Sequence, residues 1–129
     1  MLCDVVNVNS LMNKLSFVNN LILTENLSVL GICETWLLNS VDSSFVDLPG
    51  FTFFRKDTDS PSRKHGVGVY CRSELQAVKI DLDIPNVLVI HIQAWDKHIV
   101  LAYRPPSNNA SENEYCNNLY GISAGAKML

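Results

Sequence analysis

The apolar run Leu27-Ser28-Val29-Leu30-Gly31-Ile32-Cys33 ends abruptly on Glu34, and this junction constrains the chain more than any other stretch. The run is long enough to cross a core as a buried β-strand and too short for an ordinary helix. Glu34 therefore lands at the strand's C-terminal edge, where open α/β folds place their ligands. A carboxylate with limited hydration at that edge either binds a divalent cation or is tied to a neighbouring cation or backbone donor.

The flanking sequence supplies the rest of a sheet. Cys3–Val8 reads as a short strand, and Asn9 and Ser10 offer capping groups. Leu11, Leu15, Val18 and Ile22 recur on one helical face, which predicts a helix from Leu11 to Thr24 with that face in the core. Strand, helix, strand implies an α/β fold with the helix packed on a sheet. Downstream, Pro49-Gly50 marks a turn and Phe51–Phe54 a strand, followed by a polar loop over Lys56–Lys64. Further strands are expected at Gly66–Cys71, Gln76–Leu82, Val87–Trp95 and His98–Tyr103, the last two joined as a hairpin. Ser111 and Glu114 offer a capping pair for a short helix, and the weakly patterned Gly121–Leu129 reads as a frayed tail. At 129 residues the chain accommodates one domain, with residues 1–107 as its body and 108–129 as a divergent tail.

A net charge of −3 provides no electrostatic footprint for nonspecific polyanion binding, so a nucleic-acid contact has to be local. Arg55, Lys56, Arg63 and Lys64 form a modest basic patch that Asp57 and Asp59 nearly cancel. Cys3, Cys33, Cys71 and Cys116 contain no Cys-x-x-Cys pair and read as thiols in a reducing compartment. No basic start precedes a long apolar stretch, and no uncharged apolar run approaches the roughly 18 residues of a membrane span. The expectation is an intracellular chain, neither secreted nor membrane-bound. His65, His91 and His98 lack metal-ligand spacing, and Trp36 and Trp95 read as core anchors.

Several polar residues end strands and are placed to converge on one rim: Asn7, Glu34, Arg55 and Tyr103-Arg104. Asn offers a donor and an acceptor, Glu a hard oxygen for a divalent cation, Tyr a hydroxyl, and Arg a planar fork suited to phosphate. Together they suit a phosphodiester held beside a cation.

Five motifs then occur in one order. They are Asn7-Val8-Asn9-Ser10-Leu11 with Asn13-Lys14-Leu15; Ile32-Cys33-Glu34-Thr35-Trp36-Leu37; Leu48-Pro49-Gly50-Phe51 with Phe54-Arg55-Lys56-Asp57; Gly66-Val67-Gly68-Val69-Tyr70; and Tyr103-Arg104-Pro105-Pro106-Ser107. This series resembles the endonuclease/exonuclease/phosphatase superfamily. Within it, the series is similar to the endonuclease domain that precedes the reverse transcriptase of non-LTR retrotransposons of the LINE or Jockey-like type. The resemblance covers about Cys3 to Ser107. It implies part of a DNase I-like four-layer α/β sandwich: the N-terminal half, a mostly antiparallel or mixed sheet with a helix on it. Two sheets packed face to face are implied for the whole family, so a half-domain is expected to leave an apolar inner face open to self-association.

By that resemblance Glu34 and Asn7 hold Mg2+, Glu34 and Tyr103 are catalytic, and Asn7, Arg104 and Arg55 contact phosphate. The implied reaction is magnesium-dependent hydrolysis of a DNA phosphodiester, in the nucleus if functional. The sequence departs from the family in three places. Asn9 stands where Arg is usual, His65-Gly66-Val67-Gly68 replaces a glycine triplet, and neither Gly-Asp-x-Asn nor a later Ser-Asp-His is present. Those last motifs orient the attacking water and complete the acid/base machinery, so the chain is expected to be inactive alone. A noncatalytic binding remnant and a phosphatase of the same superfamily are the alternatives.

Overall fold

The computed structural model describes residues 2–58 and 65–104, and the backbone of 125–128. Two four-stranded sheets stack face to face. The first has the order β1-β2-β4-β3, built from β1 (Cys3–Asn7), β2 (Val29–Cys33), β3 (Phe51–Lys56) and β4 (Val67–Arg72). The second runs β5-β6-β7-β8, from β5 (Ala77–Ile80), β6 (Val87–Ile92), β7 (Lys97–Arg104) and β8 (Gly125–Met128). β1 and β2 are parallel and joined through helix α1 (Leu15–Glu25), whereas the other pairings are antiparallel. The outcome is the mixed α/β architecture expected from the sequence, layered as helix, sheet and sheet.

Period-two alternation along β2 divides the interior into two cores. Leu30 and Ile32 face α1 and join Val18, Ile22, Leu11 and Tyr70, while Val29 and Cys33 face the second sheet and join Val69, Cys71, Ile90, Leu101 and Tyr103. A strand buried on both sides cannot slip by one residue without driving polar neighbours inward, so the register that ends on Glu34 is strongly fixed. Tyr70 stacks on Phe53 with centroids 4.4 Å apart and donates its hydroxyl to the Val46 carbonyl. Gly68 permits this stack, because a Cβ there would lie 2.5 Å from the Phe53 ring.

The inner face expected to lie open is covered. Strands β5–β8 of this same chain supply the second sheet, and their apolar side chains close over Val29, Cys33, Val67 and Val69. Reciprocal lysines fasten one end of the stack. Lys56 of β3 donates to the carbonyls of Leu82 and Ile84 beyond β5, and Lys79 of β5 donates to the Arg55 carbonyl at 3.0 Å. Residues of the second sheet's outer face remain half-open: Val78 is 43% and Ile80 40% exposed.

Three local expectations change. Asn9 and Ser10 do not cap the helix. Both take left-handed conformations, φ 45 and 91, and the amides of Ser10 and Leu11 bond to the carbonyls of Glu34 and Thr35, so α1 begins a turn later than predicted. Within the expected frayed tail, Gly125–Met128 pairs with Leu101–Arg104 as an antiparallel edge strand. Trp95 packs against the inter-sheet core, but Trp36 is half-buried and belongs to neither core. The short helix expected near Ser111 lies outside the described residues.

Leu101 is fully buried between the sheets, whereas Leu23 is 69% exposed on α1. Leu101→Ala is expected to lower the unfolding free energy by about 2–5 kcal/mol and Leu23→Ala by less than about 0.5 kcal/mol, as measured by urea unfolding.

Candidate functional site

Parallel pairing in β1 and β2 sets Asn7 beside Cys33, and Glu34 follows immediately as the chain leaves the sheet. Glu34 and Trp36 both have positive φ, 57 and 54, an uncommon conformation for such residues. Backbone bonds from both sides hold the strained segment. The Thr35 and Trp36 amides donate to the carbonyls of Gly66 and His65, and the Glu34 and Thr35 carbonyls accept from Ser10 and Leu11. Gly66 sits at φ 87, and a Cβ there would lie 2.6 Å from the buried Thr35 hydroxyl, so this crossing of three segments requires glycine.

The result is a preoriented carboxylate. Asn7 Nδ2 donates to Glu34 Oε2 at 2.8 Å, while Asn7 Oδ1 accepts from the Asn9 amide at 3.2 Å. Tyr103 arrives from the second sheet, 2% exposed, with its backbone amide bonded to the Asn86 carbonyl. Its phenol lies close enough to the Glu34 carboxylate and the Asn7 amide to interact with both. Asn7, Glu34 and Tyr103 thus close a triangle of polar groups between the tips of β1, β2 and β7. Burial first, and the Glu34 charge second, push the Tyr103 phenol well above the ordinary tyrosine value. The same causes raise the neighbouring Cys33 thiol to about 12.

Two residues named with this group are placed elsewhere. Arg55 points to the helix side of β3, where its guanidinium donates to the carbonyls of Val41 and Leu38, to Ser43, and to Asp57 at 2.8 Å. These bonds fasten the 38–43 loop to the sheet and occupy the fork that would have received phosphate. Arg104 is next to Tyr103 in sequence, but strand alternation turns it to the opposite face, where it is 4% exposed.

His65, which sequence spacing did not single out, does join the site. Its Nδ1 lies 3.8 Å from Glu34 Oε1, in a side chain 32% exposed against 15% for Glu34. That nitrogen is buried and has no hydrogen-bond partner among the described residues, as is true of Trp36 Nε1. No sequence signal separates His65 from a loop histidine, because backbone pairing of 65–66 with 35–36 brings it in. Further along the same rim, a shallow cavity of about 360 Å³ is lined by Lys56, Lys79, Asp81, Leu82 and Asp83, where two carboxylates offset two ammonium groups. Among the described residues, no group of three His, Cys, Asp or Glu side chains is arranged to hold a metal ion.

No family model matches the sequence, and no curated protein matches it. The fold, however, matches the structure of an AP endonuclease from Archaeoglobus fulgidus with a TM-score of 0.52. The fold is DNase I-like. Sequence identity to that structure is 17%, over 70% of this chain and 36% of that one, so this DNase I-like chain spans a little over a third of its neighbour's length.

Two measurements check these assignments. Arg55→Ala strands the 6%-exposed Asp57 carboxylate without its partner, and is expected to lower stability by about 3 kcal/mol in urea unfolding. Tyr103 has a folded-state pKa above its unfolded value of about 10, so its stabilising contribution is complete below about pH 10 and is lost as pH rises beyond it. Thermal melts from about pH 9 to about pH 11 are therefore expected to fall less steeply in Tyr103→Phe than in the unsubstituted chain.

Proposed function

We propose that this chain forms the cation- and phosphate-gripping part of a nuclease that hydrolyses DNA phosphodiester bonds, of non-LTR retrotransposon descent and acting in the nucleus. The observation carrying this reading is the convergence of Asn7, Glu34 and Tyr103 from both sheets on one point. Glu34 brings a hard carboxylate to the point where the strand tips meet, with its Oε2 fixed by Asn7, and a carboxylate so placed fits a hard divalent cation, Mg2+ by resemblance. Glu34 would hold the ion, which when bound supplies charge neutralisation at a phosphate oxygen.

The protein groups have distinct tasks. Asn7 uses its amide nitrogen to fix the Glu34 carboxylate and its amide oxygen to fix the Asn9 turn, so in this arrangement it orients the ligand. Tyr103 stays protonated through neutral pH and keeps its hydroxyl proton for an acceptor oxygen, either that of Glu34 or one on a bound phosphate. Strained backbone at Glu34 and Trp36, held by backbone bonds to residues 65–66, keeps the carboxylate from relaxing when substrate arrives. Water activation is the step for which the sequence supplies no Gly-Asp-x-Asn or Ser-Asp-His segment. The chain by itself is thus a binding half of such a site. A noncatalytic remnant makes no demand on Glu34, and this difference is testable.

Magnesium is expected to raise the melting temperature of the chain and to strengthen its binding to a short DNA duplex, with both effects lost in Glu34→Gln. Plasmid nicking by the chain alone is expected to stay at background. Magnesium-independent stability and DNA binding, unchanged by Glu34→Gln, would sink the reading in favour of the remnant.

A further inference from the structure

We propose that Trp36 is a substrate-contact residue, which packs its indole on the nucleotide beside the bound phosphate and donates its Nε1 hydrogen to an oxygen of the DNA backbone. The inference rests on the reading of this rim as a DNA phosphodiester site and extends it to the group that grips the flanking nucleotide.

Three observations carry it. First, the segment 32–37 divides into buried and open residues. Ile32, Cys33, Thr35 and Leu37 are at most 1% exposed, whereas Glu34 and Trp36 are both partly open. Other aromatic rings of the chain serve the cores: Tyr70 and Phe53 stack in the first, and Trp95 packs against the second. Trp36 joins neither core, so ring surface remains for a ligand two residues beyond the carboxylate.

Second, Trp36 Nε1 is buried with no hydrogen-bond partner among the described residues. An indole N–H in that position has given up water without gaining an acceptor, so a ligand that brings one relieves a cost already present in the free protein. Indole only donates and phosphate oxygens accept, which makes a DNA backbone a matched partner. The indole turns toward such an oxygen without giving up a hydrogen bond, because it has none.

Third, Trp36 is held in place at a cost. It sits at φ 54, a conformation bulky aromatic residues rarely adopt, and its amide donates to the His65 carbonyl at 3.0 Å. Glu34 shares that conformation at φ 57, and its carboxylate pairs with the His65 imidazole. His65 therefore ties both residues to one loop and presents carboxylate and indole together. Backbone strain that packing into a core does not account for is a mark of ligand clamps.

The contact also answers an electrostatic shortfall. The chain has a net charge of −3, Arg55 is turned to the helix side of β3, and Arg104 is on the opposite face from Tyr103, so ionic pairing with phosphates is weak here. An aromatic face holds a nucleotide without charge and whatever its base, which gives affinity without sequence preference.

The chain has two tryptophans, Trp36 and Trp95, so emission reports directly on the proposal. Titration with a short DNA duplex in the presence of Mg2+ should quench the unsubstituted chain and leave Trp36→Phe, in which Trp95 alone emits, unchanged. Duplex affinity should fall about threefold in Trp36→Phe, which keeps a ring and loses the donor, and about tenfold in Trp36→Ala. The slope of log affinity against log salt should stay the same in all three, because no charge is removed. Unresponsive emission and equal affinities in the three chains, with magnesium-strengthened binding still lost in Glu34→Gln, overturn the role of Trp36 and leave the cation reading intact. Absence of duplex binding in the unsubstituted chain overturns both. If Trp36→Ala does not fold, the quench and the affinity of Trp36→Phe decide the matter.

Discussion

The strand β2 has no exposed face, and the rest of the molecule is arranged around that fact. Leu30 and Ile32 are closed in by α1, and Val29 and Cys33 by the second sheet. Each side of the strand excludes water, so its backbone is committed to β1 on one edge and β4 on the other. A strand held on four sides projects its next residue rigidly, and that residue is Glu34. The carboxylate gains its orientation from packing before any polar contact forms, and the bond from Asn7 then selects its rotamer.

Much of this was visible in the residues alone, and for one reason. Hydrophobic period reports burial, and burial dominates strand and helix formation in a chain of this size. Leu15, Val18 and Ile22 of the helix and the apolar run ending at Cys33 occupy the core as their pattern implies, and Leu11 joins them from the turn before the helix. The hairpin of β6 and β7 turns at Asp96, which adopts a left-handed conformation at φ 49. Boundaries were less legible where polar backbone geometry overrides pattern, as at Asn9 and Ser10. There, hydrogen bonds to the Glu34 loop outweigh a helix cap.

The site was legible by halves. Strand termini are readable from sequence, which located Asn7, Glu34 and Tyr103 correctly with respect to one another. Arg55 ends a strand as well, yet its side chain faces the other way, because the fork meets two loop carbonyls and the Asp57 carboxylate before it meets solvent. Which face a strand-end residue chooses depends on loop partners dozens of atoms distant along the chain, and no local pattern encodes them. His65 was illegible for the same cause: it reaches Glu34 through a pairing between two irregular segments.

Cys33 lies fully buried beside Glu34, with its thiol raised to about 12, while Cys3 is exposed at the outer end of β1. Alkylating reagents attack the thiolate, so the buried sulfur is chemically silent whenever the layers are closed. Labelling at Cys33 therefore becomes a clock for breathing of the sheet stack, with Cys3 as the internal reference that reacts regardless. The protein carries its own gauge of how often the floor beneath its carboxylate comes apart.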